Sequence, residues 1–187
     1  TVVRCTRSSG GDSDVTIDLR DSRAGDALVD HIDTAAGRLD GVIVAAGIVA
    51  FGDLVDTDDV VIEELFLTNS MGPMWLAKRV APALASSQGF FVNLSGVVAE
   101  TPMPGMAAYS ASKAAAASAT EAIRREFRRM KVTVIDVRPP HTETGLATRP
   151  LAGAAPKMPT GLEPAAVARR VVTAIERGDT AVASTDF

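Results

Sequence analysis

The sequence predicts an α/β fold, a doubly wound parallel sheet with helices on both faces. Three observations carry that expectation. Short β-branched runs alternate with longer segments of helical period. The strand runs are almost continuously apolar, as strands covered on both faces are. No internal repeat or low-complexity linker interrupts the alternation. At 187 residues the length is that of a single domain, 1–187, with room for a substantial core.

The expected strands are residues 1–5 (TVVRC), 15–19 (VTIDL), 42–46 (VIVAA), 90–94 (FFVNL), 132–137 (VTVIDV) and 181–184. Between the second and third, Leu28, Ile32, Ala35 and Leu39 form one apolar stripe at helical spacing, with His31 at its solvated edge. A helix over 58–84 carries Val61, Leu65, Gly72, Leu76 and Val80 on one face. Val167, Val171 and Ile175 mark a further helix near the C-terminus. The stretch 145–162, rich in Pro, Gly, Ala and Met, is the one long irregular loop, and long loops in compact domains commonly serve function.

Composition narrows the function classes. A net charge of −4 gives no electrostatic reason for a nucleic acid or anionic membrane partner. The longest apolar run, 42–51, falls far short of the roughly 20 residues a spanning helix needs, and no signal peptide opens the sequence. The single cysteine, Cys5, rules out an internal disulfide framework and suits a reducing compartment. His31 and His141 are the only histidines, and no Cys/His cluster has metal-ligand spacing. A cytoplasmic protein without a structural metal is expected.

In open α/β sheets the ligand lies beyond the carboxyl ends of the strands. Arg7, Asp18, Gly47, Ser95 and the run 139–145 follow successive strands and are expected to converge. Asn69 is a polar residue on the apolar stripe of the 58–84 helix. Pro73, four residues on, has no N–H for the Asn69 carbonyl, so a kink is expected that frees both the side chain and the carbonyl. Tyr109, the only tyrosine, stands four residues before Lys113 in YSASK. Positions i and i+4 share a helix face, so the ammonium would sit near the phenol and lower its pKa toward working pH. Tyr109 would then serve as a general acid for a carbonyl or as a base for an alcohol.

YSASK, LTNSMGP, VNLSG and DVRPPHTETG occur in the order and approximate spacing of the short-chain dehydrogenase/reductase family, which the sequence resembles over residues 1–145 and more loosely to 187. RPPHTETGLATRP is also similar to a bacterial subgroup of that family. The resemblance implies a Rossmann-like sheet and an NAD(P)-dependent oxidoreductase interconverting a small-molecule carbonyl and alcohol. Tyr109 would be the acid/base. Lys113 would grip a ribose hydroxyl as well as tune Tyr109, and the Asn69 carbonyl would hold a relay water. Asp18 and Leu19 match the family's adenine-pocket pair. Ala46 and Gly47 match the end of its Asn-Asn-Ala-Gly element, with both asparagines replaced. Pro139 and Thr144 match the nicotinamide turn, with 145–162 as the substrate loop and His141 and Glu143 flanking its mouth. Arg7 stands where NAD-preferring members tend to carry an acid, which favours NADP over NAD. A homodimer or homotetramer would pair through the helices bearing Asn69 and Tyr109.

Two departures accompany the resemblance. Counting back from Tyr109, the family's catalytic serine falls on Gly96; either Ser95 replaces it or that donor is missing. The glycine-rich turn that cradles the pyrophosphate is also absent, because Gly10–Gly11 follows the wrong strand and opens no helix. The sequence therefore reads as lacking its N-terminal strand–turn–helix unit. These departures leave open a second function, a catalytically weak or inactive dehydrogenase-like protein that binds a nucleotide or a partner.

Overall fold

The computed structural model describes residues 1–7 and 15–187; Gly10–Gly11 lies outside them. Six parallel strands are distributed over two sheets. The smaller pairs β1 (Cys5–Thr6) with β2 (Val15–Thr16). The larger runs β3 (Gly41–Val44), β4 (Phe90–Leu94), β5 (Thr133–Val137) and β6 (Ala181–Val182) in that order. Helices α1 (Ala24–Ala35), α2 (Asp59–Phe66), α3 (Gly72–Ser87), α4 (Ala107–Phe127) and α5 (Pro164–Arg177) fill the connections. The doubly wound α/β architecture is the expected one. Among the described strands, none of the β1–β2 sheet pairs with one of the β3–β6 sheet.

Each sheet face has its own apolar layer, because strand side chains alternate. Phe91 of β4 and Val134 of β5 point into a cluster with Leu76, Val80 and Leu84 of α3 and Phe127 of α4. Val92, Ile135 and Val137 point the other way, against Val171 and Ala174 of α5. Val15, Ile17, Val42 and Val44 share the first cluster, so one core spans both sheets. Ile43 faces the other way from its neighbours and is 49% exposed on the edge strand β3. Ala35 is exposed rather than buried as expected, since α1 ends there and the stripe continues only through Leu39 beyond the helix.

The helix irregularity expected from Pro73 stands just before it. Residues Leu67–Met71 widen into a π turn, and the Gly72 N–H reaches back five residues to the Leu67 carbonyl. The wider turn lets α2 run on into α3 without the donor Pro73 lacks. Gly72 is where this helix meets the exit of β2. A Cβ there would lie 2.6 Å from both the Leu19 side chain and its carbonyl oxygen, so only glycine permits that approach.

The 145–162 loop is pinned at both ends. At its base, the Leu162 N–H donates to the His141 carbonyl (2.8 Å) and the Glu143 N–H to the Leu162 carbonyl (2.9 Å). At its tip, the Leu151 N–H donates to the Val49 carbonyl (2.7 Å) and the Phe51 N–H to the Ala152 carbonyl (3.0 Å). Gly153 follows with φ +71°, pressed so closely on the Phe51 carbonyl that no Cβ would fit.

Gly72→Ala is expected to force Leu19 off the helix at a cost of about 1–3 kcal/mol, read as a Tm several degrees lower in thermal unfolding. An unchanged Tm would show that the β2 exit gives way freely.

Candidate active site

The carboxyl ends of β3, β4 and β5 meet the π turn and the first two turns of α4. Asn69, 2% exposed, ties three of these pieces together. Its Oδ1 accepts from the Ile48 N–H (2.9 Å), and its Nδ2 donates to the Ile48 carbonyl (3.0 Å) and the Ser112 Oγ (3.0 Å). Ser112 in turn donates to the Tyr109 carbonyl (2.8 Å), and Ser70 of the π turn donates to the Ser112 carbonyl (2.6 Å). The expectation of a free Asn69 side chain is therefore corrected. The amide is consumed in fixing the turn after β3 against α4, since a buried amide left unpaired costs about 1–3 kcal/mol.

Tyr109 is 8% exposed in a cluster with Val49, Phe51, Val98 and Met106, against which Leu146, Ala147 and Ala152 of the pinned loop pack. Burial pushes its phenol up to about 12. The expected lowering by Lys113 is absent, because the lysine is itself buried and engaged elsewhere. Its Nζ donates to the Leu94 carbonyl (2.9 Å). Burial pushes the ammonium down to about 8, opposed in part by the charge of Asp136. A Cβ on Gly47 would lie 3.3 Å from both the Lys113 Nζ and the Asn69 Oδ1. A glycine at 47 thus keeps a side chain from crowding the ammonium and the amide.

Ser95 is fully buried and its hydroxyl donates to the Asp136 Oδ1 (2.6 Å). A hydroxyl has one proton to donate, and in this geometry the Ser95 proton is given to Asp136. Gly96 beside it has φ +87° and ψ 162°, a region that side chains strongly disfavour. Pro139 adjoins it, with its carbonyl 3.9 Å from where a Gly96 Cβ would stand.

Asp18 is gripped by Arg20, whose guanidinium also pairs with Glu64. That hydrogen bond, and the more distant charge of Arg7, hold the Asp18 carboxyl below its usual range. Leu19 packs on Gly72, and Thr144 is exposed at the start of the pinned loop. His141 and Glu143 line a cleft of about 290 Å³ with Thr148, Met158 and Thr160, and the Glu143 carboxylate accepts from the Gly161 N–H (2.7 Å). Sequence reasoning missed Arg20, Ser112 and Asp136. A charged residue inside the apolar run VTVIDV was the available signal for the last.

A nicotinamide dinucleotide fits this row. Asp18, Leu19, Ala46, Gly47 and Pro139 follow within three residues of the carboxyl ends of their strands, and the Gly47 backbone borders Lys113.

The family model described as short chain dehydrogenase matches residues 5–152. A dehydrogenase/reductase SDR family member 7B from Xenopus tropicalis is 31% identical over 140 residues, 74% of this chain and 45% of that protein. The chain spans about half the length of the curated relatives it matches. A short-chain dehydrogenase from Sphingobium yanoikuyae, solved with NADPH, superposes with a TM-score of 0.78 at 26% identity, covering 91% of this chain and 68% of that one. An alcohol dehydrogenase from Thermococcus sibiricus, solved with 5-hydroxy-NADP, shares the fold at 20% identity, with a TM-score of 0.78 and coverage of 91% and 73%.

The lysine sets a pH dependence of stability. Its folded pKa, about 8, lies below the ordinary lysine value of 10.5, so the unfolded chain binds the proton more tightly. Stability is then expected to rise with pH from about 8 to about 10, before Tyr109, shifted the opposite way, begins to reverse it. Lys113→Met should flatten that rise in urea midpoints measured across this range; a variant with the wild-type slope would place the titration elsewhere.

Proposed function

The chain belongs to the short-chain dehydrogenase family, and on that premise we propose that it forms the core of an NADP-dependent oxidoreductase interconverting a small-molecule carbonyl and an alcohol. The observation that carries this reading is the burial of Tyr109 and Lys113 together, with the Lys113 Nζ beside the Gly47 backbone. A bound nicotinamide would supply or accept the hydride. The chain's own residues handle the proton and the geometry.

Tyr109, held neutral by its apolar surroundings, donates its proton to the carbonyl oxygen in reduction and takes it back in oxidation. Lys113 meets a ribose hydroxyl beside Gly47 and stabilises the transient phenolate. Water exclusion by Leu146, Ala147 and Ala152 strengthens that interaction. Asn69 keeps the Ile48 turn and α4 in register, while its carbonyl, facing a proline at i+4, is the relay acceptor. Arg7 beside Asp18 supports preference for a 2′-phosphate, because its planar fork matches phosphate oxygens. Ala46, Leu19, Pro139 and Thr144 complete the cofactor's borders. A cytoplasmic homodimer or homotetramer paired through α3 and α4 belongs to the same reading.

One observation favours a second reading, a nucleotide-binding relative with weak or no turnover. With Ser95 engaged by Asp136 and Gly96 in a glycine-only conformation, no hydroxyl at the end of β4 polarises the carbonyl. Loss of one such donor costs about 10²–10³ in rate.

Tyr109→Phe is expected to reduce NADPH-dependent carbonyl reduction by about 10²–10⁴ while leaving the cofactor Kd within about twofold. Retained turnover would overturn the acid/base role. NADPH binding without turnover across a broad panel of carbonyls and alcohols, with no gain in Gly96→Ser, would select the second reading.

A further inference from the structure

We propose that Asp136 is a positioning residue for Lys113, the fixed counter-charge that keeps the lysine an ammonium inside the site. The proposal rests on the reading of Lys113 as part of the Tyr109 site and adds the group through which its charge is held. Asp136 is 4% exposed and sits opposite Asn93 in the register of β4 and β5. Asn93 donates to Thr120 of α4 (2.9 Å), so this is the sheet face on which α4, and Lys113 with it, lies. A carboxylate in the middle of VTVIDV is costly to bury and calls for compensation.

Two donors hold that carboxylate ionised. The Ser95 hydroxyl bonds Oδ1 and the Arg138 Nε bonds Oδ2, both at 2.6 Å. Arg138 is anchored in turn by Glu100 (2.9 Å), and Ser184 donates to the other oxygen of Glu100 (2.6 Å). One residue before Ser95 on the same strand end, the Leu94 carbonyl accepts from the Lys113 Nζ. That carbonyl carries no formal charge, and burial alone would favour the neutral amine. The lysine Nζ has the Leu94 carbonyl as its hydrogen-bond acceptor, and with the Asn69 Oδ1 it borders the Gly47 backbone. Asp136 of β5, bonded to the residue after Leu94, acts on it by charge. Arg138 lies beyond the carboxylate and Glu100 is turned onto Arg138. Asp136 is thus the formal negative charge available to the ammonium, and its charge acts on Lys113 in that direction.

The sequence holds four lysines, Lys78, Lys113, Lys131 and Lys157, so ¹³C labelling at lysine gives a resonance for Lys113 that is assigned by its loss in Lys113→Met. Titrating that resonance reads the lysine itself, independently of turnover, so the result stands apart from whether Tyr109 is the acid/base. Asp136→Asn is expected to weaken proton binding at Lys113 by about tenfold, and Ser95→Ala, which keeps the carboxylate charge, to leave it nearly unchanged. Where Asp136→Asn does not fold, Arg138→Gln decides: stripping the guanidinium from the carboxylate should strengthen proton binding at Lys113. A Lys113 titration unmoved by Asp136→Asn, or unmoved or weakened by Arg138→Gln, would overturn the proposal and leave Asp136 as half of a structural ion pair with Arg138.

Discussion

The site depends on one amide. Asn69 bonds both backbone groups of Ile48 and the hydroxyl of Ser112, so a single side chain fixes the strand exit, the π turn and α4 relative to one another. Ser112 and Ser70 extend this grip along α4. Helix α4 carries Tyr109 and Lys113 on its first two turns. Their position against the β3 exit is therefore a consequence of Asn69 and not of apolar packing alone, which is non-directional. The widened turn around Asn69 brings its amide within reach of Ile48.

Electrostatically the site resists charge. Burial moves the phenol and the ammonium in opposite senses on the pH scale, but toward the same outcome, neutrality of each. Asp136 works against that tendency from beneath the β4 end, and is itself stabilised by Ser95 and Arg138. The polar groups differ in exposure. The Glu100–Arg138 pair is partly exposed, the Ser95–Asp136 bond is buried, and the lysine bond to the Leu94 carbonyl is partly buried beside it.

Much of this was legible in the residue pattern, and what was not has a physical reason. The β4 run was placed residue for residue, and the β5 run missed by one, because doubly covered strands are apolar throughout and bounded by turn residues. The first two strands are two residues each among the described residues, since β-propensity reports a fit to neighbouring side chains more than a backbone preference. The Tyr109–Lys113 spacing was readable because four residues on a helix is a local relation. Its electrostatic effect was not, because Lys113 turns to a carbonyl 19 residues away in sequence. Likewise Ser95 and Asp136, 41 residues apart, meet only through strand register, and Arg20 reaches Glu64 across 44. The proline at 73 signalled an irregular helix, and the π turn that accommodates it was not readable, since a missing donor names the lost bond and not the one that replaces it.

The doubly tethered loop over Tyr109 carries a thermodynamic consequence. Backbone bonds at Val49 and Phe51 on one side, and at His141 and Leu162 on the other, order this segment when the chain folds. The conformational entropy of arranging it is thus lost at that stage and not at the moment a small molecule arrives. A ligand entering beneath the loop meets a wall already shaped, and its affinity reflects contact and desolvation with little deduction for immobilising the protein around it.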